Sequence, residues 1–549
     1  MDGPGFDATE ARSAHVDGFA RENLPPREQW PDLLFTLPQL RYPMRLNCAV
    51  ELLDRNLTAR GDHPAVVTPV ETLTYRQLAE RVNRIAHVLV HRQGLVPGNR
   101  VLLRGPNNAW MLAASLAVLR AGGVAVPTMP LLRAKELGQM LRKARVGHAL
   151  CDARLAEELG KAATEAPDLR HVTQWGDGSL EALCAAAPPS FPACDTAAED
   201  VCLIGFTSGT TGEPKGTMHA HRDMLAICDA YGQEVLRPRA EDVFIGSPPL
   251  AFTFGLGGLA LFPFRVGPTT VLLERAPPEE LLSAIARHRA TICFTAPTAW
   301  RAMAQAVAAG GHDVSSLRRC VSAGEVLPKP VFESWQRATG LSIMDGIGAT
   351  EMLHIFIGAP EEAIRPGATG LPVPGYEARV IGPEGEEVPR GTPGRLAVRG
   401  PTGCRYLADP RQADYVQRGW NITGDTYVQD ADGYFWYQAR SDDMIVSAGY
   451  NIAGPEVEAA LLTHPAVREC GVVGAPDAER GMIVKAYVVP QAGVVADAAL
   501  VRALQEHVKT EIAPYKYPRA VEFVAALPRT GTGKLQRFAL RQMARGEAA

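Results

Sequence analysis

Between Thr207 and Gly216 the chain reads TSGTTGEPKG, hydroxyls and glycines around a single lysine, Lys215. Consecutive backbone N–H groups in such a stretch can close into an anion-holding concavity, and the hydroxyls add donors. Lysine supplies a mobile positive charge suited to phosphate. Apolar VCLIGF precedes the loop and AHRDMLAICDAYGQEV follows it, so the expected context is strand, loop, helix. Spacing excludes two commoner loops. Pro214 stands where the Walker pattern, counted from Gly209, needs its second glycine, and Gly205 and Ser208 are one position too far apart for a nucleophile elbow. Other candidates lie downstream. Glu351 follows a Gly-rich turn and offers hard oxygens that suit Mg²⁺. Asp425 closes a Thr-Gly-Asp stretch expected to be a tight turn. Lys534 sits in the Gly-flanked PRTGTGK, where a lysine is ordinarily solvated surface. His219 and His221 invite a metal reading, but no third ligand is apparent in the sequence, and a structural role is favoured.

The elements that must position these residues read as an α/β protein. LTYRQLAERVNRIAHVL carries capping-box spacing at Thr74 and Gln77 and an apolar stripe of Leu78, Val82, Ile85 and Leu89, which predicts a helix. VLLRG, GVAVP, ATICFTAP and RRCVSAG are short apolar runs ending in Gly or Pro, as buried parallel strands do, and helical stretches such as PEELLSAIARH alternate with them. The first 45 residues are Pro-interrupted and read as an irregular arm, and residues 184–200 as an exposed connection. After the aromatic-rich GYFWYQAR, a small α+β unit of about a hundred residues is expected, joined at the Asp442-Asp443 pair.

Composition bounds the partners. A chain of 549 residues exceeds one core and suggests about three or four domain-sized units. Its 46% apolar and 21% charged residues are those of a soluble globular protein. The net charge of -4, with no basic run, argues against nucleic acid. The apolar run from Ala109 to Leu119 falls short of the ~18–20 residues of a spanning helix. An acidic start, MDGPGFDATE, is not a signal peptide, and ten cysteines without a C-x-x-C pair predict neither zinc sites nor a disulfide framework. A cytoplasmic enzyme is expected. Its oligomeric state stays open, a homodimer among the options.

Taken in order, the motifs resemble those of the acyl-adenylate-forming superfamily: acyl-CoA synthetases, peptide-synthetase adenylation domains and luciferases. Besides TSGTTGEPKG, the resemblance rests on SAGEVLP (322–328), DGIGATE (345–351), NITGD (421–425), QARSDDMIVSAGYNI and PRTGTGK (528–534). It implies a large N-terminal domain over 1–441 with mixed sheets and helices, and a small mobile α+β domain over 442–549 hinged at Asp442. It implies ATP, Mg²⁺ and coenzyme A. Thr207, Ser208, Gly209, Thr210, Thr211, Gly212 and Lys215 would hold the phosphates, with Thr207 and Glu351 at the metal. Gly324, Glu325, Val326, Asp345, Gly346, Ile347, Gly348 and Thr350 would surround the adenylate. Asp425 and Arg440 would take the ribose, and Gly449 and Tyr450 the coenzyme A channel. Lys534, Glu351 and Thr350 would be catalytic. The implied reaction has two halves: a carboxylate displaces pyrophosphate from ATP, and after domain rotation the thiol displaces AMP. No base for the thiol is visible. Val446 replaces a common lysine after the hinge, and SPPLAFTFGLGG lacks the His many relatives carry there.

Substrate hints follow. Phe252, Thr253 and Phe254 suggest a flat aromatic wall. DGIGATEMLHIF resembles benzoate-type aryl-CoA ligases, which places His354 in an aryl pocket with Ala323, Gly324 and Gly348. The arm SAHVDGFARENLPPREQWPDLLF resembles that of 2-aminobenzoate (anthranilate)–CoA ligases. An adenylation enzyme loading a separate carrier protein and a non-catalytic nucleotide-binding regulator are the rivals. With the chain ending at Ala549, soon after Lys534, a fused carrier is not expected.

Overall fold

A computed structural model of the chain describes residues 12–546 apart from 208–212, 441–442, 448–449, 478–479, 513 and 530–534. Two buried, mainly parallel sheets form the body, as the short apolar runs predict. The first has six strands in the order His171–Trp175, His148–Asp152, Arg100–Arg104, Val124–Thr128, Val201–Thr207 and Lys215–Ala220, with only the last pair antiparallel. The second has seven, in the order Ile343–Met344, Arg319–Ser322, Ile292–Thr295, Val243–Gly246, Thr269–Val271, Pro64–Val67 and Thr72–Thr74, again antiparallel only at the last pair.

Between them lie the predicted helix, Tyr75–His87, and Ala109–Arg120. Thr74 Oγ1 accepts the Gln77 N–H at 3.2 Å, and Gln77 Oε1 accepts the Thr74 N–H at 2.9 Å, which completes the capping box. The apolar run that was too short for a membrane is the second of these helices, apolar almost all round because it is buried almost all round. At its end Arg120 is held by both Asp54 oxygens at 2.8 and 2.9 Å. Among the described residues, no helix is long and apolar enough to cross a membrane, and all ten cysteines are free.

An antiparallel sheet follows, in the order Glu377–Ile381, Gly394–Arg399 and Trp420–Gln429, with Val416–Gln417 and Phe435–Arg440 pairing at different points along the same far edge of Trp420–Gln429. The smaller C-terminal unit packs helices Gly454–Leu462 and Ala498–Glu511 on the strands Val467–Asp477, Gly481–Pro490 and Ala520–Phe523. The arm is tied down rather than free: Ser13 Oγ donates to Asp200, and Arg399 reaches Asp32 at 2.8 Å.

Two local readings are corrected. The phosphate-type loop joins two strands, not a strand and a helix. Lys215–Ala220 pairs antiparallel with Val201–Thr207 before the helix His221–Ile227 begins. Thr217, Met218 and His219 are all fully buried and back onto Arg405–Leu407, so a strand satisfies their backbone where a helix start would not. The Thr423-Gly424-Asp425 stretch is a bulge, not a turn. Ile422 and Thr426 pair with Ala397 and Arg395, leaving three residues opposite Leu396, and Gly424 takes a φ of +76°.

Candidate active site

Several of the candidates named from sequence converge around the exit of the phosphate-type loop. Thr207 ends one strand and Lys215 begins its partner, directly opposite. Thr350 and Glu351 occupy the one-turn helix Thr350–Met352, which packs against the strand Val201–Thr207. Glu351 is buried, and its Oε1 accepts the Tyr406 hydroxyl at 2.6 Å. Lys215 Nζ donates to the same hydroxyl at 3.3 Å. Burial, then the Glu351 charge, pushes the Tyr406 phenol far above its ordinary range, so it stays a neutral donor. A tyrosine thus links the loop lysine to the turn carboxylate.

A second set of buried groups holds that turn from behind. His219 Nε2 donates to the Thr350 carbonyl at 2.7 Å, with Nδ1 3.9 Å from Asp223. Asp223 caps the following helix and pairs with Arg405, both almost fully buried. The loop exit is fastened by a third cluster. Lys143 Nζ donates to the Pro214 carbonyl at 3.0 Å, and Arg411 to that of Glu213 at 3.3 Å. Asp409 binds both cations at 2.6 Å. Burial opposes the Asp409 charge, yet the hydrogen bonds from Arg411 and Lys143 carry its pKa well below the ordinary carboxylate range.

Tyr406, Arg405, Lys143 and Asp409 escaped the reading of the sequence. RYLADP is the signal that could have flagged three of them: it packs an arginine, a tyrosine and an aspartate into one short irregular segment.

The other candidates fall nearby or outside view. Asp425 stands opposite Arg440 in the register of two paired strands. Ala323, Gly324, Glu325 and Val326 follow the strand Arg319–Ser322, and Asp345 separates Ile343–Met344 from Gly346–Gly348, which carries Gly346, Ile347 and Gly348. Burial drives the Asp345 carboxyl well above its ordinary value. Glu325 Oε1 lies 3.9 Å from Arg529 of the C-terminal unit, which brings the segment before Lys534 toward this turn. Tyr450 lies on the strand Tyr450–Ile452. Ser208, Gly209, Thr210, Thr211, Gly212, Asp442, Gly449 and Lys534 lie outside the described residues.

His354, which the resemblance puts in an aryl pocket, lies inside an aromatic cluster. Its ring lies 4.6 Å from Phe262, 5.4 Å from Tyr231 and 5.9 Å from Phe254, and Phe254 lies 5.5 Å from Phe294. Thr253 and Phe254 open the helix Thr253–Leu256, with Phe252 at its N-cap. Gly257 allows the close fit, since a Cβ there would stand 2.3 Å from His354 Cδ2. Neither imidazole nitrogen closes a hydrogen bond of ordinary geometry, although the Phe254 backbone is near enough to favour the protonated ring slightly. The Tyr231 hydroxyl and Asp345 Oδ1 are also buried without a partner among the described residues.

Burial holds the His354 imidazole down to about 3 and that of His219 to about 4. As pH falls below about 6.5, the unfolded chain takes up protons that these folded sites refuse. Their contribution to stability is therefore complete above pH 6.5 and is lost toward pH 4, at up to ~1.4 kcal/mol per pH unit for each histidine. Thermal unfolding followed across pH 7.5–4 should show that decline, and His354→Gln should flatten part of it.

Two family profiles cover most of the chain: AMP-binding enzyme over residues 53–406 and the AMP-binding enzyme C-terminal domain over 456–534. The benzoate–CoA ligase of Thauera aromatica is 37% identical over 514 residues, covering 92% of this chain and 98% of its own. The 4-hydroxybenzoate–CoA/benzoate–CoA ligase of Rhodopseudomonas palustris is 33% identical, covering 92% and 95%. The solved structure of the anthranilate CoA ligase AuaEII in complex with anthranoyl-AMP superposes with a TM-score of 0.87 at 36% identity, covering 92% of this chain and 98% of that one. The chain belongs to the AMP-binding enzyme family. It is an AMP-forming acid–thiol ligase that works with ATP, Mg²⁺ and coenzyme A.

Proposed function

We propose that the protein activates an aryl carboxylate, 2-aminobenzoate or a close benzoate, as the acyl-adenylate and then forms the coenzyme A thioester, releasing pyrophosphate and AMP. The observation that carries the aryl assignment is the cluster around His354. Phe254, Phe262, Phe294 and Tyr231 offer ring faces, while both His354 nitrogens, the Tyr231 hydroxyl and Asp345 Oδ1 lack partners among the described residues. Buried polar atoms without partners mark a place where a ligand or water completes the bonding. A planar ring bearing one polar substituent matches that combination of surfaces. In this reading Thr253 or His354 meets the ortho amino group. Relatives named for benzoate and for anthranilate support the class equally. Benzoate as the preferred acid is the second reading, because one ring substituent is worth only about 1–3 kcal/mol in a pocket.

The roles follow from charge and position. Lys215 and the loop hydroxyls take the β- and γ-phosphates, the part that leaves. Glu351 and Thr207 face the metal; a buried carboxylate with hard oxygens beside Lys215 and the phosphate-type loop fits Mg²⁺, which when bound neutralises phosphate oxygens. Tyr406 fixes Glu351 so that its free oxygen points one way. Asp425 and Arg440 grip the ribose, and the segments at Gly324 and Gly346 flank the base. Lys534 meets charge that builds between the α-phosphate and the acyl carboxylate. Rotation of the unit beyond Asp442 then exchanges this face for the one that carries Gly449, and the thiol attacks the acyl carbonyl.

Tyr406→Phe removes the hydroxyl that donates to Glu351 and accepts from Lys215, and keeps the ring. It should lower activity or raise the Mg²⁺ requirement by about 10–100-fold, the usual effect of losing a group that orients a metal ligand, read from Mg²⁺ titrations of pyrophosphate release. For the substrate itself, equal concentrations of 2-aminobenzoate and benzoate should compete in one reaction with coenzyme A. An excess of the 2-aminobenzoyl thioester by mass spectrometry supports the amino-specific reading, and an excess of benzoyl thioester selects the other.

A further inference from the structure

Three side chains that the ligase chemistry does not use converge behind the phosphate-type loop. Cys48 opens the short helix Cys48–Leu52, Cys202 lies on the strand Val201–Thr207, and His221 begins the helix His221–Ile227. All three are completely shielded from solvent, and their ligand atoms lie within 4.8 Å of one another. Most of the first sheet separates Cys48 from His221 along the chain, so no local spacing reveals the group.

The geometry also fixes the tautomer of the histidine. His221 Nδ1 accepts the amide N–H of Cys48 at 3.2 Å and faces Cys48 Sγ at 3.1 Å. An amide nitrogen only donates, so Nδ1 is the nitrogen that keeps a lone pair, on the side where the sulfur stands. Nε2 holds the proton and finds no partner among the described residues. The cluster therefore gathers one imidazole nitrogen with a lone pair and two sulfurs in a dry core.

We propose that Cys48, Cys202 and His221 form a closed site for one monovalent copper ion. Thiolate and imidazole donors are the soft set that such an ion prefers. With metal–sulfur bonds of ~2.3 Å and metal–nitrogen bonds of ~2.0 Å, a planar three-coordinate ion holds its ligand atoms roughly 3.7–4 Å apart. The three ligand atoms lie within 4.8 Å of one another, and the 3.1 Å between His221 Nδ1 and Cys48 Sγ must open by about 0.6 Å as the ion enters. Structural zinc takes four ligands, whereas the described residues group only three here, with no exposed side left for water. Binding releases the two thiol protons to solvent, and the ion takes over the Nδ1 lone pair from the Cys48 amide. Cys202 and His221 sit at the base of the hairpin whose tip is the phosphate-type loop. A filled site would therefore tie that hairpin to the helix Cys48–Leu52.

A site closed on all sides fills as the chain folds, so the test uses the full chain expressed in copper-supplemented medium and purified anaerobically. After dialysis against a copper chelator, elemental mass spectrometry should find one copper per chain. X-ray absorption should show two sulfurs and one nitrogen around it. The double variant Cys48→Ala/Cys202→Ala should lose the copper while keeping ligase activity, which also reports that it is folded. If that variant does not fold, the wild-type spectrum decides alone. Absence of stoichiometric copper, zinc in its place, a shell of nitrogen and oxygen only, or equal copper in the folded double variant overturns the proposal.

Discussion

Lys534→Ala is expected to lower aryl-acid-dependent exchange between ATP and pyrophosphate by about 10²–10³-fold, the usual cost of removing one donor aimed at transition-state charge. Thioester formation from a pre-formed aryl-adenylate should fall far less. The asymmetry follows from where charge develops. In the first half-reaction an anionic carboxylate approaches an anionic α-phosphate, and a cation between them offsets repulsion that peaks in the transition state. In the second half-reaction the acyl carbonyl, not the phosphorus, is attacked, and the proposed rotation beyond Asp442 has carried Lys534 away. Arg529, just before this segment, lies 3.9 Å from Glu325, so the C-terminal unit approaches the adenylate side of the site. Equal losses in both half-reactions would show that Lys534 supports folding or binding in general.

Glu351→Gln is expected to cost about 100-fold in kcat/KM for MgATP, with a raised Mg²⁺ requirement and little change in thermal stability. The substitution keeps the shape of a buried side chain whose Oε1 already accepts from Tyr406 at 2.6 Å. The amide carbonyl can accept the same bond, so the local packing survives while the negative charge does not. Loss of the charge leaves the proposed metal without a counterion next to the loop. Mg²⁺ titration of the variant against wild type separates this from a folding defect, which circular dichroism would reveal. A variant with unchanged Mg²⁺ dependence would remove Glu351 from the metal.

Much of this was legible in the residues. The capping box at Thr74 and Gln77, the short apolar strands and the helix Pro278–His288 follow from local pattern alone, since each element's backbone preference agrees with its burial. The family was legible because motifs of these residue types are rare in that order, and His354, which the resemblance puts in an aryl pocket, lies among aromatic rings. What escaped depends on pairing across long separations. Lys215–Ala220 reads as a loop exit until its partner strand and Arg405–Leu407 supply hydrogen bonds on either side. The bulge at Gly424 is defined by its neighbour Leu396, which no local pattern reveals. Lys143 and Asp409 meet at 2.6 Å across 266 residues, and their purpose is visible only once Pro214 lies between them and the loop.

The most direct test of the account is coenzyme A-dependent AMP formation measured across benzoate, 2-aminobenzoate, 4-hydroxybenzoate, phenylacetate and a medium-chain fatty acid. The account predicts that benzoate and 2-aminobenzoate exceed the fatty acid in kcat/KM by at least about tenfold, the lower end of what one pocket contact discriminates. Equal turnover of the fatty acid, or AMP release that does not depend on coenzyme A, would contradict it.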